Sequence, residues 1–330
     1  MKNNKQITIL ANQDKIKALS HARLSSYRVF FNTQSDEETL GLYQWNEELS
    51  AAIFRTISLT EIVLRNQCHT AMSMRYGVAG STNSRDWCDH VDLNTLSRKK
   101  ITDVTHTKQH QQWVPKVPVP SPDDVVSRLT FGFWPHLLDL RQDMAHQPIA
   151  WGPIILDILP GHRQRQVTHW SKQKHRDALF ARFDLCNEMR NRIAHHEPIW
   201  KIGPLMEETR ARQGNQPAIV AQTPTTPSEA LNRLKLLYTR LTELLAWLSP
   251  EMARAHALSD VHHKCLSLLS LQALEAYRKT KPPIVLNLAQ YKSHRALKKA
   301  LRLATRHQQP TLLMDGHRTL GNITCIPSAQ

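Results

Sequence analysis

The run Arg190-Asn191-Arg192-Ile193-Ala194-His195-His196-Glu197-Pro198 gathers two guanidinium groups, an amide and two imidazoles near the end of a predicted helix. Groups of this kind can bind a phosphate and move protons without a metal. Side chains four apart share a helix face, so Asn191 lies over His195 and Arg192 over His196. Glu188 joins the first row, three residues before Asn191, four before Arg192 and seven before His195. Arg190 lies off that row, because five steps of about 100° leave it roughly 140° from His195. Only its long stem can carry the guanidinium toward the same cleft.

Pro198 disfavours helical geometry at Glu197, which predicts a helix ending there with both histidines in its last turn. A helix C-terminus favours protonated imidazole, and an imidazole titrating near neutrality suits general acid or base work. The same residues allow a plain reading, in which Glu188 and Arg192 form a surface salt bridge and one histidine caps free carbonyls.

The run RNRIAHHEPIW at 190–200 resembles the signature of the Abi-like (abortive infection) proteins, a branch of the HEPN superfamily. That signature is an arginine, four to six arbitrary residues and a histidine, matched here by Arg190 and His195. Three more segments fit the Abi-like pattern in order: LYQWNEELSAAIF at 42–54, EIVLRNQCHTAMSMRYG at 61–77 and LTFGFWPHLLDL at 129–140. Together they span roughly residues 20 to 250.

The resemblance implies an all-α, HEPN-like helical bundle that pairs as a homodimer, and a metal-independent endoribonuclease site at Arg190, Asn191 and His195. The implied reaction is attack of a ribose 2′-OH on the adjacent phosphate, leaving a 2′,3′-cyclic phosphate and a 5′-OH. In it His195 exchanges the proton, Arg190 stabilises charge on the phosphate oxygens, and Asn191 orients the phosphate or the imidazole. The reaction needs both an acid and a base, and a dimer supplies two copies of the motif to one cleft. Within one chain His196 is the alternative second proton donor, although adjacent helical residues diverge by about 100°.

Composition agrees with a polyanionic partner. The 43 Lys and Arg against 28 Asp and Glu give a net charge of +15 and a pI near 9.8, which fits RNA better than DNA or an anionic membrane. Ten glycines among 330 residues suit a helical chain. Five scattered cysteines with no CxxC pair read as reduced thiols. The adjacent pairs His195-His196 and His262-His263 lack the HxxxH spacing of zinc sites, so neither a metal nor a cofactor is expected. The N-terminus lacks an apolar core long enough for a signal peptide, and no run of about 18 apolar residues occurs, so the expected location is the cytoplasm with no membrane contact.

The elements that must hold the motif are read as follows. A long helix is predicted from Glu37 to Arg75, with a break near Ser50 and a stop at Gly77 and Gly80. Its Glu61 and Arg65, four apart, give by spacing alone a salt bridge on a solvated face. The Abi-like pattern repeats this glutamate and the Arg65-Asn66 pair, which implies that they face the motif across the core as supporting or phosphate-contacting groups, together with Glu188. A loop at 80–90 and a polar helix from Leu93 to Gln112 are expected, then a stiff proline connector and one helix, capped by Ser121 or Asp123, that carries Val126, Leu129, Phe133, Leu137 and Leu140. Phe131, Phe133 and Trp134 either pack in the core or stack on bases. Residues 161–196 form a basic approach to the motif.

Residues 1–22 read as an N-terminal arm, 23–250 as the helical domain, with a mobile insertion at 207–228, and 251–330 as a basic helical extension. Within these, helices are expected at Glu229–Leu248, Asp260–Lys279 and Leu288–His307, with a weakly ordered tail from Gln308. Two functions remain: an endoribonuclease of the abortive-infection or toxin type, which implies an antitoxin or neutralising partner, and a non-catalytic HEPN module that holds RNA or a partner. A DNA-binding regulator lacks a helix-turn-helix.

Overall fold

Ser20 and Ser35 each start a helix by accepting a backbone N–H, from Arg23 at 3.3 Å and from Glu38 at 3.2 Å. The computed structural model describes residues 13–77, 86–279, 284–291, 293–307 and 311–323. After a short helix α1 (13–19), these caps open α2 (His21–Phe31) and α3 (Asp36–Tyr76). Asp36, Glu37 and Glu38 oppose the N-terminal dipole of α3. The helix runs 41 residues without the expected break, and buried Ser50 lies within it as part of the packed face. Gly77 ends it, donating to the Ser73 carbonyl at 3.0 Å, while Gly80 lies outside the described residues.

The next segment departs from the polar helix expected to Gln112. Helix α4 (Thr95–Thr105) stops early, and β1 (His106–Gln109) pairs antiparallel with β2 (Gln112–Pro115). His110 and Gln111 make the two-residue turn with φ of 45° and 69°, the left-handed pair that matches strand twist. Ser121, of the two candidate caps, starts α5 (Pro122–Arg128) in a capping box with Asp124. A 3-10 turn at Phe131–Phe133 and α6 (Trp134–Leu137) follow instead of one continuous helix. Phe131, Phe133 and Trp134 are buried, which assigns them to packing rather than to base stacking.

Then come α7 (Trp151–Ile158), α8 (Val167–Trp170) and the motif helix α9 (Gln173–Ala194). A pair of short strands, β3 (Leu205–Met206) and β4 (Ile219–Ala221), leads to α10 (Pro227–Leu248), whose Thr226–Glu229 capping box precedes its leucine-rich buried face. The helix expected from Asp260 to Lys279 is divided into α12 (Asp260–Leu268) and α13 (Leu271–Arg278) by a new cap at Ser270, with α11 (Pro250–Ala257) ahead of both. The final described part is not purely helical. β5 (Ile284–Asn287), α14 (His294–His307) and β6 (Thr311–Asp315) form a parallel βαβ unit, and β7 (Arg318–Ile323) returns antiparallel through Gly316.

The fold is mostly helical, with α3 as its spine against α2, α7, α9, α10, α12 and α13. The α3 face carrying Leu42, Trp45, Leu49, Ile53, Ile57 and Leu64 is buried, as the helical spacing of those residues requires. Trp45 donates to the Leu268 carbonyl at 2.9 Å, which ties α12 onto the spine through a buried hydrogen bond.

Candidate functional site

Helix α9 buries Leu179, Phe180, Phe183, Cys186 and Met189, so the opposite side of its last turns faces outward with Glu188, Asn191, Arg192 and His195. Its end differs from the expected stop at Glu197. His195 is the cap, and His196 takes a left-handed conformation with φ 54°. His196 donates to the Ile193 carbonyl and Glu197 to the Arg192 carbonyl, each at 2.9 Å, the two bonds of a Schellman motif. The histidines therefore terminate the helix through their backbone instead of lying in its last turn, and both side chains are exposed.

The chain beyond His196 is pinned at several points. Arg23 of α2 donates to the His196 carbonyl at 2.7 Å, and Arg192 donates to the Lys201 carbonyl at 2.9 Å while pairing with Glu197 at 3.1 Å. Buried Asn46 of α3 accepts from the Ile199 N–H at 3.0 Å. Trp200 stacks on Phe30 with centroids 4.5 Å apart and meets Tyr27 and Phe31 edge-on. Sequence reading missed Arg23 and Asn46. The signal for Asn46 was a polar residue inside an apolar helical face, between Trp45 and Leu49.

Arg190 and His195 leave α9 in different directions, as the helical angle required. Arg190 lies near α3, close enough for its charge, like that of Arg65, to act on half-buried Glu61. Burial pushes the Glu61 carboxyl above its ordinary range, and the two guanidinium groups and the Phe131 N–H pull it back. Arg65 also donates to the Ser127 carbonyl at 3.3 Å, so it braces the α5 end. Asn66 is exposed and stands outside this cluster. Asn191 links the two directions: its Oδ1 accepts from Arg190 at 3.3 Å, and its side chain shares a cleft with His195.

That cleft has a volume of about 850 Å³. One wall is α9 with Asp184, Glu188, Asn191 and His195, the other the 199–211 segment and the middle of α10. The far wall is held by ion pairs. Buried Arg182 reaches Glu208 at 2.5 Å and Glu243 at 3.0 Å, and covers the Trp247 ring at 4.6 Å. Arg212 reaches Asp177 at 2.5 Å, and Arg210 pairs with Asp139. Burial alone would raise the Glu208 carboxyl, but the Arg182 hydrogen bonds prevail and hold it below the ordinary range. Glu188, open at the cleft mouth, is shifted upward by desolvation within the concavity and by the Asp184 carboxylate. It makes no ion pair with Arg192, whose partner is Glu197.

The sequence model of the Abi-like protein family matches residues 14–201, more than half of the 330 residues. This chain belongs to the Abi-like family. The match covers α2 to α9 and ends one residue beyond Trp200, so it contains the whole motif together with Asn46, Glu61 and their anchors. No curated protein and no solved structure matches this Abi-like chain.

Other sequence-level candidates find these places in the Abi-like structure. In the basic approach to α9, Arg182 is buried in its ion pairs, and Arg176 and Arg165 donate to backbone carbonyls. Arg163, Lys172 and Lys174 remain exposed. Among the described residues, no group of three or more His, Cys, Asp or Glu is placed to hold a metal ion, and no helix is long and apolar enough to cross a membrane.

Proposed function

We propose that this Abi-like protein is a metal-independent endoribonuclease of HEPN type, acting in abortive infection. The observation that carries the reading is the state of His195. Its exposed imidazole has no hydrogen-bond or ion-pair partner among the described residues, and it shares a cleft with Asn191, which in turn touches Arg190. A free imidazole beside an amide and a guanidinium suits phosphoryl chemistry. His195 moves the proton between the attacking 2′-OH, the phosphate and the leaving 5′-oxygen. Arg190 stabilises the phosphate oxygens while Glu61 and Arg65 set its position, and Asn191 orients the phosphate. A homodimer provides the second proton-transfer group, a second His195, and an antitoxin or neutralising partner would act by covering this cleft in the cytoplasm.

The direct test is cleavage of total RNA by the purified protein in excess EDTA, with fragment ends typed. Wild type leaves 2′,3′-cyclic phosphates, and His195→Ala and Arg190→Ala leave the RNA intact. A second reading, an RNA-binding or partner-binding module, draws on the opposed directions of Arg190 and His195 and on the carboxylate facing Arg190. It takes the lead if wild type leaves RNA intact yet retards it in a gel.

A further inference from the structure

The cleft beside His195 is larger than proton transfer to a phosphate requires, and its lining is that of a recognition pocket. Leu185, Ile202, Leu205 and Leu237 give it an apolar floor, and polar groups stand along the α9 rim. The arginines on its wall are occupied: Arg192 with Glu197 and Lys201, Arg240 with Glu208, Arg233 with the Gly203 and Gln222 carbonyls. Asp184 accepts from Asn187 at 3.3 Å. The Glu188 carboxylate accepts no hydrogen bond among the described residues and lines the mouth, so the α9 wall offers an acceptor to whatever enters.

We propose that this cleft is a base-recognition subsite that takes a guanine of single-stranded RNA, with Glu188 as the specificity-determining residue. The inference rests on the RNA reading of the neighbouring motif. A carboxylate has two acceptor oxygens and no donor, and the Watson–Crick edge of guanine presents two adjacent donors, N1–H and the N2 amine. Adenine and cytosine set a ring acceptor beside their single amine, and uracil flanks its one donor with carbonyls, so each brings a lone pair against the carboxylate. The apolar floor receives the base face, as unstacked RNA bases are commonly received. Spacing agrees: Glu188 and His195 are seven residues apart, about 10 Å along the helix, comparable to the reach from a nucleotide's base edge to its 3′ phosphate. The base held at Glu188 is thereby the one whose 3′ phosphate meets Asn191 and His195.

The test is equilibrium binding of the full-length protein to short single-stranded oligonucleotides that differ at one position, each 2′-O-methylated there so that nothing is cut. Wild type binds the guanine oligomer about tenfold or more tightly than those with adenine, cytosine or uracil, and Glu188→Gln brings the four affinities together. Continued binding of the uracil oligomer by the variant reports that it is folded. Equal affinity for all four bases in wild type overturns the subsite and leaves the nuclease reading to its cleavage assay. A guanine preference that survives in Glu188→Gln overturns the role of Glu188. Tighter capture of an oligolysine peptide than of any oligonucleotide overturns the guanine assignment in favour of a basic protein ligand. Failure to bind any RNA overturns the RNA reading and the subsite together.

Discussion

Glu61 of α3 lies close enough to Arg190 of α9, and to Arg65 one turn along its own helix, for both guanidinium charges to act on its carboxyl. A carboxylate beside the candidate phosphate contact opposes anion binding while holding the guanidinium in place. Glu61→Gln is therefore expected to tighten RNA binding roughly threefold, through loss of the opposing charge, and to slow cleavage by a larger factor through loss of orientation. Titration with labelled RNA and a single-turnover assay on the same variant check both. Weaker binding would mean that Glu61 contacts RNA indirectly or supports the fold alone.

His196 occupies a left-handed backbone position that costs a β-carbon-bearing residue about 1 kcal/mol relative to glycine. His196→Gly is expected to raise the unfolding free energy by up to about 1 kcal/mol, measured by urea denaturation. The same variant decides whether the His196 imidazole moves a proton. Unchanged cleavage assigns that work to His195, whereas a loss of more than about tenfold makes His196 the second donor.

Trp200 is buried against Tyr27, Phe30 and Phe31 and holds the chain just past the motif. Trp200→Ala should cost about 3–5 kcal/mol and expose this segment to proteolysis. Asn46→Ala orphans the buried Ile199 N–H at a cost of about 1–3 kcal/mol. Denaturation midpoints rank the two, and an Asn46→Ala midpoint equal to wild type would remove the anchor from the account.

These particular residues show what could be read without coordinates. The α3 and α10 faces were legible because their apolar spacing is helical over many turns, although α10 starts at Pro227, two residues before the expected Glu229, where Thr226 and Glu229 form a capping box. The divergence of Arg190 from Asn191 and His195 followed from helical angles alone. The early stop at His195 was not legible, since left-handed geometry at a histidine leaves no composition signal. The hairpin at His110-Gln111 was hidden for the same reason, having neither glycine nor asparagine in its turn. The Gly316-His317 turn between β6 and β7 did carry a glycine at its left-handed position, which the basic helical periodicity of α14 overshadowed. Contacts such as Arg23 to His196 join residues 173 apart, and no local pattern encodes them.

Arg182 is buried among Glu208, Glu243 and the Trp247 ring, and it holds the far wall of the cleft. Arg182→Met leaves Glu208 without its main partner and should cost about 3 kcal/mol. Amide exchange should rise across residues 199–222 while α3 stays protected. Because the folded Glu208 pKa is depressed, the wild-type stabilisation is full above the ordinary value of 4.5 and is lost as pH falls through the lower folded value.

His256 and His262 share the Tyr238 hydroxyl, at 3.1 and 2.9 Å, beside Thr56, Ser259, His263 and Cys265. Burial lowers both imidazole pKa values, and each charged neighbour lowers them further. Folding thus favours the neutral rings, and stability is full above the ordinary value of 6.5 and falls as pH drops below it. Thermal melts at pH 7.5 and 5.5 should show a drop that shrinks in His262→Gln. An equal drop in both proteins would assign the acid sensitivity elsewhere.

The 41-residue spine has a further consequence for what can be cut away. The family match stops at residue 201, yet α10, α12 and α13 lie on α3 just as α2 and α9 do. A fragment ending at 201 would leave Trp45 without the Leu268 carbonyl and bare the flank that Leu234, Leu241 and Leu245 cover. The matched half is thus not the foldable half: a hybrid made by grafting residues 14–201 onto another tail would keep the motif but lose the helices packed on the far flank of α3.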